Sequence, residues 1–481
     1  MLFNSLEFAL FLPIVFALYW SIFAKNLRAQ NVFLIAVSYL FYGWWDWRFL
    51  SLIIFSSAID YSVGLALSRT SEQRKRKWWL GLSLFVNLGL LGFFKYYDFF
   101  LAEFIAAFAE IGIPLHASTL RIILPVGISF YTFQTLSYTI DVYREKLTPV
   151  KDWTVFFAYV SFFPQLVAGP IERATQLLPQ FSAPRNFNSD HVKDGLRQML
   201  WGLFKKIVIA DNCASVVDKI FANHEVYGAP VLFLGAFLFA VQIYCDFSGY
   251  SDIALGTARL FGFRLMRNFA YPYFARDIAE FWRRWHISLS TWFRDYLYIP
   301  LGGSRVSSSA TLIRNVFIVF IVSGFWHGAN WTFIAWGTLH ALYFIPSILL
   351  KRNRRYLDVV ATNRLFPNLR ELAEMLLTFT LVCIAWIFFR AENLTHAVEY
   401  LTQLFTNFSV QPRLFRTNLF LLFGIGILFL IEWLQREQPH AFAFKETSVP
   451  KLARAAIYIA TAFAILLFLP QKETTFIYFQ F

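Results

Sequence analysis

Apolar stretches recur along the whole chain, and this repetition limits its possible folds more than any other feature. Each stretch is about 17–25 residues long, which is the length a helix needs to cross the hydrocarbon core of a bilayer. Only 15% of the 481 residues are charged and the mean hydropathy is +0.51, whereas soluble domains carry about 25% charged residues. No stretch is long and polar enough for a sizeable soluble domain. The sequence therefore predicts an all-α, polytopic integral membrane protein with a single domain over residues 1–481.

The positive charge of the chain is concentrated in short loops between the apolar stretches. The formal net charge is +13, and in a membrane protein the positive-inside rule explains such loops, so we expect no nucleic acid partner. The rule places three basic segments in the cytoplasm: Arg69 to Lys77, Arg259 to Arg314, and Lys351 to Arg355. Counting spans outward from the last of these predicts that the C-terminus lies outside.

The two ends and the cysteines add little further constraint. The first residues include Glu7 and have neither a basic leader nor a small-residue cleavage site, so we expect a retained first helix. Cys213, Cys245 and Cys383 are widely separated, and their spacing predicts neither a disulfide framework nor a metal site.

His327 lies inside an apolar, aromatic segment, in the string FWHGANWTFIAWG. An ionisable side chain at membrane depth is costly and is by default a candidate functional residue. A neutral imidazole could accept a proton there, although a structural histidine between helices is the alternative. The surrounding stretch from Phe317 to Leu350 is long for one helix and short for two. We therefore expect a pair of short or re-entrant helices, which are tolerated where protein or a water-filled cavity surrounds them.

A second histidine, His286, follows Arg283, Arg284 and Trp285 in an amphipathic, basic segment. This pattern predicts a helix on the membrane surface, where the histidine is either interfacial or a second participant in acid–base chemistry. Asp246 and Asp252 lie beside hydroxyl residues in the string QIYCDFSGYSDIALG. They could orient a histidine or pair with nearby arginines, and the structural ion pair is the favoured interpretation.

The chain lacks the motifs of several enzyme classes. It contains no GxSxG elbow, no P-loop, no HExxH and no paired-cysteine metal spacing. Two hypotheses remain from the residues alone: a membrane transferase with a histidine base, or a transporter with histidine as a proton relay. A transporter often shows inverted repeats, and none is visible in the sequence.

Six motifs occur together in the order LPVGISFYTFQTLSYTIDVYR, FFPQLVAGPIER, GLFKK, QIYCDFSGYSDIALG, WHISLSTWFRDYLYIPLGG and FWHGANWTFIAWG, between Leu124 and Gly337. As a set, these core motifs (residues 124–337) resemble the membrane-bound O-acyltransferase (MBOAT) superfamily. Within it, the chain is most similar to the bacterial branch of alginate and peptidoglycan O-acetyltransferases. The enzymes of teichoic acid D-alanylation are more distant.

The resemblance implies a fold of about ten or more transmembrane helices, with re-entrant and interfacial helices around a central tunnel. It implies that His327 is the essential histidine and that His286 is the second catalytic residue. The expected donor is a cytoplasmic acyl thioester, acetyl-CoA, and we expect no bound cofactor or metal. The acyl group would serve O-acetylation of an extracytoplasmic polysaccharide such as alginate or peptidoglycan, with an esterase-like acetyltransferase as partner. These expectations place the protein, surrounded by lipid, in the bacterial cytoplasmic (inner) membrane.

The C-terminal aromatic tail, residues 471–481, ends in FIYFQF. It is similar to a tail motif of this branch in which the tyrosine is a proposed acyl carrier, and that tyrosine is Tyr478. An aromatic anchor at the outer interface is the alternative. Three activities thus remain open: polysaccharide O-acetylation, D-alanyl transfer to teichoic acid, and proton-coupled transport of a polysaccharide or an acyl carrier.

Overall fold

The computed structural model describes residues 1–113, 115, 120, 122–167, 169–306, 308–444, 449–469 and 476–477. Within these ranges the regular structure is helical and contains no strand, so the all-α prediction is confirmed. The chain forms two compact units. One comprises Met1–Val192 and Thr257–Met266, and the other comprises Lys193–Gly256 and Arg267–Phe481. The single domain predicted for residues 1–481 stays a prediction.

The first unit is built from helices with aromatic packing between them. They are α1 (Leu6–Ser21), α2 (Leu27–Asp46), α3 (Leu50–Arg69), α4 (Gln73–Leu91), α5 (Tyr97–Glu110), α6 (Ile128–Tyr143), α7 (Trp153–Ser161), α8 (Phe163–Leu166) and α9 (Ala174–Ser182). Helix α1 begins where the Ser5 hydroxyl accepts a hydrogen bond from the Phe8 amide, a typical N-cap. Phe11 on α1 and Phe41 on α2 both contact Phe163 on α8, and the three rings form one buried cluster.

Asp60 shows how the first unit accommodates a buried carboxylate. Its oxygens accept hydrogen bonds from the Ser83 hydroxyl at 2.6 Å and from the Asn87 amide at 2.9 Å, which ties α3 to α4. These partners are neutral, so Asp60 is a structural residue held by hydrogen bonds. Such bonds offset the cost of removing a carboxylate from water.

The second unit contains all the candidate site residues that the structure describes. Its helices are α10 (Ser189–Leu203, which begins in the first unit), α11 (Asp211–Ala222), α12 (Ala229–Leu260, which continues into the first unit at Thr257), α13 (Ile278–Arg284), α14 (Ile287–Phe293), α15 (Ser309–His327), α16 (Trp331–Leu349), α17 (Leu369–Arg390), α18 (Leu394–Thr406), α19 (Pro412–Thr417), α20 (Leu419–Leu434) and α21 (Lys451–Leu467). A π-helical turn, Phe204–Ala210, joins α10 to α11.

Helices α10 and α12 approach closely because two glycines face each other. A Cβ atom on Gly202 would lie 2.6 Å from the carbonyl oxygen of Gly249, so a larger residue would separate the helices. This approach brings two buried lysines to two aspartates: Lys205 lies 2.6 Å from Asp252, and Lys206 lies 2.6 Å from Asp246. The ion-pair interpretation of both aspartates is therefore correct, although their partners are lysines of the π-helical turn and not arginines.

Six helical stretches of the described chain are long and apolar enough to cross a membrane: Leu27–Arg69, Gln73–Glu110, Ala229–Leu260, Ser309–His327, Trp331–Leu349 and Leu369–Arg390. A pair of helices is present between Phe317 and Leu350 as predicted, but neither helix is short, and their re-entrant character stays a prediction. Both α15 and α16 have 19 residues. Helix α15 begins at Ser309, before the continuous apolar run, because Ser308 caps it by accepting from the Thr311 amide.

Candidate active site

His327 is the last residue of α15 and is almost completely buried, with 4% of its surface exposed. Aromatic rings surround the imidazole. The ring centroids of Trp326, Trp336 and Phe389 lie 4.9, 5.1 and 5.4 Å from it, each in an edge-on arrangement. This packing restricts the imidazole to a narrow set of orientations, which a catalytic group requires.

The turn after His327 is held by Asn330. Its side-chain oxygen accepts a hydrogen bond from the Thr332 amide and so caps α16, and its amide group donates to the carbonyl of Glu392 at 2.9 Å. The string HGAN therefore forms the tight connection between α15 and α16, and also fixes this connection to the segment after α17. The position of His327 follows from that double attachment.

His286 is completely buried at the N-cap of α14. Its backbone adopts the left-handed conformation, with φ 42° and ψ 54°, which is uncommon for residues other than glycine, asparagine and aspartate. The prediction of a membrane-surface histidine is wrong. The basic residues before it, Arg283 and Arg284, bind carbonyl groups and a carboxylate of the same unit, so the segment folds into the protein.

Asn268 fixes the orientation of the His286 imidazole. Its side-chain oxygen lies 3.1 Å from His286 Nδ1 and 2.8 Å from the Ser288 hydroxyl. The same oxygen faces the Ser288 backbone amide at 3.4 Å, and a backbone amide can only donate, which identifies this atom as the carbonyl oxygen. His286 Nδ1 must then carry the proton, and Nε2 is the acceptor nitrogen of the neutral ring. The sequence analysis missed Asn268, since an asparagine 18 residues upstream of a histidine carries no local signal.

Trp326 brings the two histidines into one site. Its ring centroid lies 6.1 Å from that of His286 and 4.9 Å from that of His327. The indole is itself buried. Two histidines that are 41 positions apart in the sequence thus contact the same side chain, and both belong to the second unit.

The two imidazoles occupy opposite ends of helices. His327 is the last residue of α15. His286 precedes the N-terminal end of α14, where the amide groups disfavour a positive charge. Burial lowers the pKa of His286 to about 3, so its ring is neutral near pH 7. A neutral His286 can orient or polarise a reactant, which leaves His327 as the candidate base of the site.

His340 is a third buried histidine in this region, and the sequence analysis did not single it out. Its Nδ1 accepts a hydrogen bond from the Trp282 indole at 3.2 Å, and its ring packs edge-on against Trp336 at 5.0 Å. His340 therefore lies behind the aromatic shell of His327. Its contacts are those of a structural histidine.

The arginines before His286 are largely engaged in the fold. Arg276 is buried and binds Glu280 at 3.0 Å and Asp358 at 2.9 Å, while Arg284 binds Glu280 at 2.8 Å. Arg283 donates to the carbonyl of Tyr356 at 2.7 Å. These bonds fasten the loop after α16 to α13. The positive-inside rule explains why arginines occur between Arg259 and Arg314 but does not predict these bonds. Part of this basic segment therefore has a structural role.

A cavity of about 220 Å³ lies between α14 and the α15–α16 hairpin. Its lining includes Leu289 and Ser290 from the helix that His286 caps, and Ser323 from one turn before His327. Arg294 and Asn353 lie at the polar part of the wall. The cavity thus approaches the helix ends that carry both histidines.

The described part of the C-terminal tail is buried against α12. The ring of Phe476 lies 4.5 Å from Tyr250 and 5.7 Å from Phe247, and the Ile477 amide donates to Asp246 at 2.7 Å. Phe247 in turn lies edge-on to His286, with ring centroids 4.7 Å apart. Tyr478 itself lies outside the described residues.

The ionisable side chains of the described residues also include one group with metal-ligand spacing. The ligand atoms of His224, Glu225 and Glu399 lie within 4.8 Å of one another, and neither His286 nor His327 belongs to this group. The rings of Trp336 and Phe247 and the side chain of Asn268 are among the neighbours of the two site histidines.

Together, the fold and the site define a multi-pass membrane protein in which two buried histidines contact the same indole ring, that of Trp326. Comparison with known proteins identifies the class. The family described as "MBOAT, membrane-bound O-acyltransferase family" matches residues 152–385, and the chain belongs to this family. It is an O-acyltransferase.

Three relatives illustrate the similarity. The protein named "Probable alginate O-acetylase AlgI" from Pseudomonas aeruginosa is 41% identical over 396 residues, which cover 82% of this chain and 73% of that protein. "Peptidoglycan O-acetyltransferase" from Helicobacter pylori is 38% identical over 430 residues, covering 83% and 79%. "Teichoic acid D-alanyltransferase" from Streptococcus thermophilus is 27% identical over 287 residues, covering 55% and 68%. The predicted family and the order of its branches are confirmed.

Proposed function

We propose that the protein transfers an acetyl group from acetyl-CoA for O-acetylation of an extracytoplasmic polysaccharide, with alginate or peptidoglycan as acceptor. The shared contact of His286 and His327 with Trp326 carries this proposal, because it places two buried histidines in one site. The names of the relatives at 38–41% identity support acetyl transfer over D-alanyl transfer. The more distant D-alanyltransferase is 27% identical.

In the proposed reaction, His327 removes the proton from the accepting hydroxyl as its oxygen attacks the thioester carbonyl. The new C–O bond forms, the C–S bond breaks, and the proton passes to the departing thiolate to give free CoA. His286 stays neutral and accepts a hydrogen bond at Nε2, which holds a reactant in place. A positioned general base typically contributes about 10²–10⁴ in rate, and a thioester already supplies the driving force.

The 220 Å³ cavity is lined by residues of α14 and α15 that neighbour the histidines in sequence, and it is the proposed position of the acyl end of the donor. An acetyl group and the adjoining thioester are small enough for this space. Arg294, at the cavity wall, pairs with Asp295 at 2.7 Å but is 58% exposed, and it is the proposed contact for an anionic donor such as CoA. Arg276 and Arg284 are less suited to that role because only 3% and 12% of their side-chain surfaces are exposed.

Tyr478 is the proposed first acceptor. Its neighbour Ile477 is held on Asp246, and Phe476 packs on Phe247, the ring that also contacts His286. These contacts support a tail that reaches the site. The phenol would carry the acetyl group to an esterase-like transferase outside the cell, and the C-terminus would lie on that side of the bacterial inner membrane.

The experiment is transfer by the purified protein from labelled acetyl-CoA. We expect release of CoA together with label on the C-terminal peptide or on added polysaccharide, and neither with His327→Gln. A proton-coupled transporter would instead move its cargo in proteoliposomes without releasing CoA. Labelled D-alanyl carrier protein, used in place of acetyl-CoA, would reveal the third activity.

A further inference from the structure

A second and larger cavity lies in the second unit. The π-helical turn and its two flanking helices form one side of it, and α20 and α21 form most of the rest. Its volume is about 610 Å³. An apolar cavity of about 150 Å³ already binds a benzene-sized hydrocarbon, so this space has room for a much longer apolar ligand. None of its lining residues belongs to the histidine site described above.

The cavity exists because small residues line it at helical spacing. Gly424 on α20 faces Ile209, and Ala460 and Ala464 on α21 form the opposite wall. Along α20 the lining extends from Phe420 to Ile431, twelve residues, which is roughly 18 Å of helix. The hydrocarbon core of a bilayer is about 30 Å thick, so the lining is about as long as one leaflet is deep.

One end of the cavity is polar. Asn212 and Ser215 on α11 lie at the same end as Thr417 and Asn418, which immediately precede α20. The short helix α19, which leads into this end, exposes Arg413 and Arg416. The N-terminal end of α20 adds amide groups that favour a negative charge. The remaining wall, toward Ile431 and Ile457, is apolar.

We infer that this cavity binds one acyl chain of an anionic phospholipid, with the headgroup at the Asn418 end. The length of the lining fits a chain that enters from the surrounding membrane, and the two arginines complement a headgroup with net negative charge. Phe420 and Phe423, on the exposed part of the wall, are 87% and 69% accessible and would contact the rest of the lipid. The bound lipid completes the packing between α20, α21 and the helix that carries Lys205 and Lys206.

The test is native mass spectrometry of the full-length protein, extracted in a mild detergent and supplied with equal amounts of phosphatidylglycerol and phosphatidylethanolamine. We expect one phosphatidylglycerol to remain bound per protein. Gly424→Phe should reduce that occupancy at least tenfold because the ring fills the cavity. Gly426→Phe is the matched control, since a side chain there meets no neighbour within 4 Å, and it should retain the lipid.

A second pair on α21 covers the case in which Gly424→Phe does not fold. Ala464→Phe fills the cavity from the other wall, whereas Ala462→Phe points to the exposed face of the same helix. The double substitution of Arg413→Gln and Arg416→Gln should abolish the preference for phosphatidylglycerol over phosphatidylethanolamine. Equal occupancy in the filled and control variants would overturn the proposal. A wild-type protein that retains no phospholipid, or one that retains another molecule in place of the phospholipid, would also overturn it.

Discussion

Asn268 and His286 are 18 residues apart in the chain, and their side chains meet at 3.1 Å in the buried core. The amide oxygen of Asn268 accepts from the imidazole and from the Ser288 hydroxyl, and its amide group donates to the Ser251 hydroxyl on α12. One side chain thus connects α12, the segment before α13, and the N-cap of α14. Asn268 acts through His286, and so is a positioning residue of the proposed mechanism.

Asn268→Asp tests this positioning role. Aspartate keeps an oxygen facing His286 Nδ1 but adds a negative charge that stabilises the imidazolium, so the pKa of His286 should rise from about 3 toward the neutral range. We expect acid inactivation to appear at a higher pH than in the wild type, measured as the pH profile of CoA release. Asn268→Ala should instead lower stability, because two buried donors lose their acceptor at about 1–3 kcal/mol each. An Asp variant with an unchanged pH profile would contradict the positioning role.

His286→Asn is the substitution that preserves the local fold. Asparagine tolerates the left-handed conformation and its amide group can donate to Asn268, whereas His286→Ala lacks both properties. We expect the Asn variant to fold and to transfer acetyl groups at least tenfold more slowly. Full activity of this variant would show that the imidazole itself is dispensable.

The same variant should change the acid sensitivity of the fold. The folded-state pKa of His286, about 3, lies below its ordinary value of 6.5. The unfolded chain therefore binds the extra proton between pH 6.5 and pH 3, and the wild type loses stability as the pH falls through that window. His286→Asn should lose less over the same range, measured as the thermal midpoint in detergent. Parallel curves for both proteins would contradict the burial of a neutral imidazole.

His327→Gln should abolish acetylation, with a loss of about 10²–10⁴ in rate, while expression and membrane insertion stay normal. Glutamine keeps the size and polarity of the side chain but not its basicity. His340→Gln is the matched control, because that histidine is equally buried and contacts the same Trp336 ring but bonds to Trp282. We expect it to retain acetyl transfer even if its thermal midpoint falls. Near-normal activity of His327→Gln would remove the base assignment.

Tyr478→Phe should stop acetylation of the polymer because only the phenol oxygen is lost. If the tail carries the acyl group, peptide spectra of the wild type incubated with acetyl-CoA should show an acetyl adduct on the C-terminal peptide. The adduct should be absent in Tyr478→Phe and in His327→Gln. Ile477→Val, which leaves the amide bond to Asp246 intact, is a control that should keep the adduct. Polymer acetylation that survives Tyr478→Phe would mean direct transfer to the partner.

Cysteine accessibility tests the proposed orientation. In a background without Cys213, Cys245 and Cys383, a cysteine in the segment from Lys351 to Arg355 should resist a membrane-impermeant thiol reagent in intact cells. A cysteine placed after Lys472 should react. Equal labelling at both positions would contradict a C-terminus on the outer side.

The sequence by itself determined the class of the protein. Apolar stretches of membrane-spanning length and the order of six motifs are local properties, which can be read without knowing what packs on what. His327 stood out for the same reason, since an ionisable residue in an apolar segment is costly wherever its neighbours lie. The ion pairs of Asp246 and Asp252 were expected in kind, although not their lysine partners.

Only the tertiary structure decided what surrounds these residues. The basic pattern before His286 is that of a surface helix, yet its arginines bond to a distant loop and its histidine is buried on Asn268. The Asp246–Ile477 bond joins residues 231 positions apart, and the large cavity depends on small residues of α20 and α21 facing the π-helical turn. Burial, protonation and cavities arise from contacts between segments that are remote in sequence. Hydropathy and spacing carry no information about such contacts, because they describe each segment in isolation.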